Sequence, residues 1–186
     1  MFIQTEATPN PNVLKFLPGR EVMGEGSRDF RDADDASASP LAAEIFAIPG
    51  VTRVFFGPDF ITVGKLPGRD WAHVKAPILA AIMDHFTSGV ALFAGDGEAV
   101  GHDEGAYEGE TAQIVAEIED LLDTRIRPAV AQDGGDIIFN RFENGGVYLH
   151  MQGSCSGCPS STMTLKQGIE NMLRHYIPEV QEVCPV

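Results

Sequence analysis

Two cysteines three positions apart, Cys155 and Cys158, carry the clearest chemical signal in this sequence, within the stretch GSCSGCPSSTMTLKQGIENML. A Cys-x-x-Cys turn folds back on itself and aims two sulfurs at one centre. Gly157 gives that turn its conformational freedom, and Gly153 lets the chain leave the strand before it. Pro159 presets the first turn of a following helix, which puts Cys158 at or near the N-cap. Unpaired N–H groups and the macrodipole at a helix start favour negative charge. They lower a thiol's pKa and so favour the thiolate, the form that ligates metal. Ser154, Ser156, Ser160 and Ser161 place hydroxyls nearby that can donate to cysteinyl or inorganic sulfur. The loop holding both cysteines is expected to be exposed.

Three chemistries use such a pair. A structural zinc site takes four ligands, and no second CxxC or HxxxH follows, so zinc would have to be shared between two chains. A thiol–disulfide oxidoreductase would use Cys155 as nucleophile and Cys158 as resolving thiol. Against it, the proline follows the second cysteine instead of separating the two, and the flanks do not read as a thioredoxin-like βαβ unit. An iron–sulfur cluster takes about four cysteine ligands, which two facing chains supply. That ligand count points to a symmetric dimer with one cluster on its two-fold axis.

The other candidates read more plainly. Cys184, in VQEVCPV, suits a strand position where a small apolar residue would serve equally well. His150 and His175 read as a strand-edge and a helix-surface histidine, and His102 as a solvated linker residue. Asp133 and Asp136 read as turn residues bonding nearby backbone, not as a catalytic pair. No Ser/His/Asp or Cys/His nucleophile arrangement stands out.

The elements that must position the cysteines follow from periodicity. Ile114, Ile118, Leu121, Leu122 and Arg125 mark a helix that Pro128 interrupts. Gln132–Asp136 form a turn into a strand over Ile137–Phe142, and Asn144-Gly145-Gly146 suits a tight hairpin. In the return strand Val147, Leu149 and Met151 share one face and lead directly into the cysteine loop. Leu165, Ile169, Met172, Leu173 and Tyr176 mark the next helix, closed by Pro178, and Val180–Val186 a last strand. The order is α-β-β-α-β.

Upstream, strands are expected over Phe2–Gln4 and Val13–Leu17, with an acidic loop over Asp29–Ser39. Ser39 caps a helix opened by Pro40 and stopped by Pro49-Gly50. Val51–Phe56 and Phe60–Gly64 form a hairpin around Gly57-Pro58-Asp59. Asp70 caps a helix running to about Phe86, with a kink or a later start at Pro77. Between the halves, residues 95–110 hold five glycines and six acids with no basic residue, the composition of a flexible linker. The fold class is α+β: a domain over 1–94, an acidic linker over 95–110 and a second domain over 111–186.

Composition narrows the function further. The 186 residues are 44% hydrophobic, enough to fill real cores. Net charge is −14, which repels phosphate backbones and argues against nucleic acid as a partner. No run approaches the roughly 20 apolar residues that span a bilayer, so no membrane partner is expected. The start, MFIQTEATPNPN, lacks a signal-peptide pattern and the Arg-rich look of an organellar presequence, which leads to an expectation of a cytoplasmic protein.

The same residues resemble those of a known family. RPAVAQDGGDI (127–137) and GSCSGCPSSTMTLKQGIENMLRHYIPEV (153–180) resemble the C-terminal domain of the NifU/Nfu iron–sulfur cluster proteins. FIQTEATPNPNVLKFLPG (2–19) and FFGPDFITV (55–63) resemble the separate Nfu N-terminal domain. The resemblance implies that Cys155 and Cys158 bind a [4Fe–4S] cluster shared across a homodimer, with a [2Fe–2S] form left open. It implies a scaffold and carrier, not an enzyme, that takes clusters from upstream assembly proteins and passes them to recipient apoproteins. It gives the N-terminal domain a role in client recognition and favours a bacterial cytosolic member. Cys184 departs from the family pattern.

Overall fold

A computed structural model describes residues 2–95, 107–156 and 159–186, and the chain divides into two compact units, residues 1–100 and 101–186. The α+β class holds for both.

Unit one is a five-stranded antiparallel sheet in the order β1-β2-β5-β4-β3. Its strands are β1 (Gln4–Ala7), β2 (Val13–Leu17), β3 (Arg28–Phe30), β4 (Val51–Phe56) and β5 (Ile61–Lys65). Phe16, Val54, Phe56, Ile61 and Val63 bury one face against Leu41 and Ile45 of α2 (Pro40–Phe46) and Val74, Ile78 and Ile82 of α3 (Trp71–Ser88). The predicted caps form: Ser39 Oγ accepts from the Ala42 N–H at 3.3 Å, and Asp70 Oδ1 from the Ala72 N–H at 2.9 Å. The β4–β5 hairpin closes where expected, with Phe56 opposite Ile61.

Three local expectations change. The first strand begins two residues later, at Gln4, because its register pairs Gln4–Ala7 with Leu14–Leu17. The acidic stretch expected as a loop holds β3 and a short helix α1 (Ala33–Ala36) capped by the Asp32 side chain. Asp29 is the reason: buried, it is ion-paired to Arg53 of β4 and to Arg31. Helix α3 runs without a break through Pro77, which is exposed, so the carbonyl it leaves unbonded one turn back can be hydrated.

Unit two is a three-stranded sheet ordered β6-β7-β8, comprising β6 (Gly135–Glu143), β7 (Gly146–Gly153) and β8 (Glu182–Pro185). The hairpin turn puts Asn144 at φ 52 and Gly145 at φ 81, as a two-residue turn with positive φ requires. Helix α4 (Glu110–Leu121) passes through a π-helical turn, Leu122–Ile126, into α5 (Arg127–Gln132), so Pro128 does not end it. The wider turn changes the backbone pairing just before the proline while Ile118, Leu122, Ile126 and Val130 stay buried at four-residue intervals. α6 (Pro159–Tyr176) then packs Ile169 and Leu173 on the same core as Val147, Leu149 and Met151.

Because α6 crosses over between them, β7 and β8 are parallel neighbours. Cys155 therefore follows the first strand of a β7–α6–β8 unit, a parallel crossover that the sequence reading of the flanks did not anticipate.

Candidate metal centre

β7, the central strand, is paired on both sides, and its last residue, Gly153, sits at φ +65 and turns the chain off the sheet. Three contacts fix the residues that follow. The Ser154 N–H donates to Gly134 O at 3.2 Å, and the Ser154 hydroxyl makes a short hydrogen bond to Asp133 O. From the helix side, Thr162 Oγ1 donates to Cys155 O at 3.0 Å. Cys155 is thus held between the 133–135 turn and the first turns of α6.

Its side chain is not exposed as expected. Cys155 is 6% exposed and belongs to the core cluster with Met151 and Ile169. Two of the four serine hydroxyls act differently from the sequence reading, while the side chains of Ser160 and Ser161 lie outside the described residues. Ser156 Oγ donates to Gly153 O at 3.1 Å, and Ser154 gives its proton to Asp133 O, with Cys155 Sγ 3.9 Å away. Both hydroxyls shape the loop first, and Ser154 Oγ is left with lone pairs facing the sulfur. Cys158 and Gly157 lie outside the described residues. α6 begins at Pro159 with no acidic residue in its own first turn.

The turn that grips Ser154 is itself anchored. Arg127 donates from Nε to Asp136 Oδ1 at 2.8 Å and from another guanidinium nitrogen to Oδ2 at 2.9 Å. A third arm reaches Asp123 at 2.9 Å, and Asp136 also accepts from the Ile137 N–H. The hydrogen bonds to Asp136 raise the Arg127 pKa above its ordinary value, outweighing burial. Asp136 is therefore more than the turn residue expected: it pins the start of β6 to α5. Residues nine apart on different elements leave no local signal, so sequence reading missed this pair.

The remaining candidates stand apart from the cysteine loop. Cys184 lies opposite Tyr148 in the β7–β8 register, on the face away from buried Val147 and Val183, and is half-buried. It sits in the expected strand, but on the side opposite the core. His150 is bonded to Val186 O at 3.0 Å and to Asn140 at 3.1 Å, and His175 stacks edge-on against Tyr176. His102 lies outside the described residues. Among the described residues, no group of three or more His, Cys, Asp or Glu could hold a metal. An open cavity of about 420 Å³, lined by Ala116, Glu117, Asp120, Leu121, Tyr176 and Ile177, is at the far end of α6 from Pro159. That is about 27 Å of helix at about 1.5 Å per residue, so this concavity is not the candidate centre.

Comparison with known proteins bears on both units. Residues 3–89 match the family model for the scaffold protein Nfu/NifU N-terminal domain, and residues 118–184 that for the NifU-like domain. NifU-like protein 4, mitochondrial, of Arabidopsis thaliana is 53% identical over 98% of this chain and 65% of its own length. The NFU1 iron-sulfur cluster scaffold homolog, mitochondrial, of Homo sapiens is 53% identical over 98% of this chain and 71% of its own. Its namesake in Drosophila ananassae is 51% identical, and this chain covers 63% of it. The chain thus spans less than two thirds of the Arabidopsis and Drosophila relatives. These mitochondrial names overturn the expected cytoplasmic, bacterial-type location. The match covers only part of these relatives' length, so the composition of the first residues given was no guide to compartment.

Proposed function

The chain belongs to the Nfu/NifU scaffold family, and from that premise we propose that it is an iron–sulfur cluster scaffold and carrier whose cargo is held by Cys155 and Cys158. One observation carries the reading: Cys155, two residues past the end of the central strand and four before the start of α6, is held in place through Ser154 on one side and Thr162 on the other. The cargo is a [4Fe–4S] cluster shared by two copies of the chain, each giving two thiolates to a site that takes about four.

Transfer is ligand exchange. A client thiolate bonds to a cluster iron as the iron–sulfur bond to one motif cysteine breaks, with no net oxidation or reduction. The released cysteine returns as a thiolate to the positive end of α6. No turnover chemistry of the chain's own is involved. The cluster arrives from upstream assembly proteins and leaves to recipient iron–sulfur apoproteins. The cluster-binding domain begins at Tyr107, which packs on the C-terminal core, earlier than the boundary at 111 expected from sequence; the acidic segment before it is the tether, and residues 1–94 serve recognition.

Anaerobic purification of the full chain tests this against the other chemistries. Bound iron with acid-labile sulfide and broad visible absorbance supports the carrier. A colourless zinc-bound dimer, or metal-free protein that reduces insulin disulfides, would overturn it.

A further inference from the structure

Gly135 is buried as the first residue of β6, opposite Gly153 in the register. Its neighbour Gly134 has φ +79, a conformation that favours glycine, whereas Gly135 is not among the positive-φ residues. The reason for a glycine at 135 is therefore space, not backbone conformation. A Cβ built there would lie 2.5 Å from Cys155 Sγ, 3.2 Å from Cys155 Cβ and 2.8 Å from Gln152 O. The cysteine sulfur fills the volume that a side chain at 135 would occupy. Nor can the strand readily move aside. Asp136, the next residue, is clamped by Arg127, and the carbonyls of Asp133 and Gly134 hold Ser154.

We propose that Gly135 is a positioning residue for Cys155: the missing side chain forms the seat in which the sulfur is held, sheltered from solvent, ready to bind cargo. Any side chain at 135 evicts the sulfur from that seat. The proposal extends the reading of Cys155 as a ligand, but its geometry belongs to the metal-free chain and can be read there.

The test uses the full chain carrying Cys158→Ser and Cys184→Ser, so that Cys155 is its sole thiol. Its alkylation by iodoacetamide is timed with Gly135 intact and with Gly135→Ala. Loss of shelter should speed the reaction by about tenfold or more. Equal rates in two folded proteins would overturn the proposal. Should Gly135→Ala unfold the domain, the thermal midpoint is compared in the Cys155 and Cys155→Gly backgrounds. Removing the sulfur and its Cβ should recover a substantial part of the loss. An identical loss in both backgrounds would place the conflict at Gln152 O and refute a role in seating the cysteine. With all cysteines present, Gly135→Ala should lower bound iron and sulfide to half or less of wild type. If wild type itself holds no cluster, the carrier reading fails, while the alkylation rates still decide the role of Gly135.

Discussion

Arg127→Met removes the guanidinium that pins the start of β6 while keeping most of the side-chain volume. The Asp136 side chain is 9% exposed and that of Arg127 is 30% exposed. Removing one partner of a fully buried pair costs about 3–5 kcal/mol, because it leaves an uncompensated charge. Partial exposure of Arg127 screens some of that. The Asp123 arm, with a side chain 62% exposed, adds only about 0.3–0.5 kcal/mol. The expected loss is about 2–3 kcal/mol. For a unit of this size that lowers the melting midpoint by on the order of 10–20 °C. Calorimetry on the full chain reads it as a downshift of the C-terminal transition alone. Asp136→Asn supplies the second edge of a double-mutant cycle. The double variant should lose less than the sum of the single losses, by about 1–2 kcal/mol. A loss below about 0.5 kcal/mol, or strict additivity, would refute the claim that this pair fixes the turn gripping Ser154.

Cys184→Val should leave iron and sulfide content and dimerisation unchanged. The register puts Cys184 beside Tyr148, about 17 Å of strand before Gly153 at about 3.3 Å per residue; a fall to half or less in a folded variant would make it a ligand. Burial lowers the His85 pKa below its ordinary 6.5, with Glu44 opposing. Below that value the unfolded chain takes up a proton that the folded chain resists. Stability of the N-terminal unit should therefore fall as pH drops through about 6.5. His85→Asn should flatten that dependence, as read from urea midpoints at two pH values; an equal slope in the variant would assign it elsewhere. Limited proteolysis should cut within residues 95–106, where glycines and acids leave little to bury, ahead of Tyr107, which packs on the C-terminal core. The C-terminal fragment should still take up a cluster, and loss of uptake on cleavage would assign part of the site to the N-terminal domain.

Elements governed by local chemistry were legible in the sequence. Ser39 and Asp70 announce their helices, Asn144-Gly145 its hairpin and Pro159 the start of α6. Alternation of Val147, Leu149 and Met151 located the strand leading to the cysteines. What depends on pairing across the chain was not legible. β3 exists because Asp29 finds Arg53, 24 residues away, and an acidic stretch gives no sign of that. The π turn before Pro128 is a compromise between a proline and a continuing apolar stripe, and periodicity alone scores it as a stop. Burial of Cys155 follows from two glycine-containing segments meeting at Gly135 and Gly153, a register that only the folded sheet supplies. The CxxC spacing was legible as a candidate site, whereas the grip on its first cysteine comes from Asp133, Gly134 and Thr162, which no spacing announces.

In the proposed scaffold, two chains hold one cluster through Cys155 and Cys158. Molar mass by light scattering, taken with iron and sulfide content on the same anaerobically reconstituted sample, decides whether they do. The expected result is a dimer with about four irons and four sulfides per two chains, while Cys155→Ser and Cys158→Ser each stay folded and lose the cluster. A monomer carrying a full cluster, or either variant reconstituting to wild-type iron and sulfide, would contradict it.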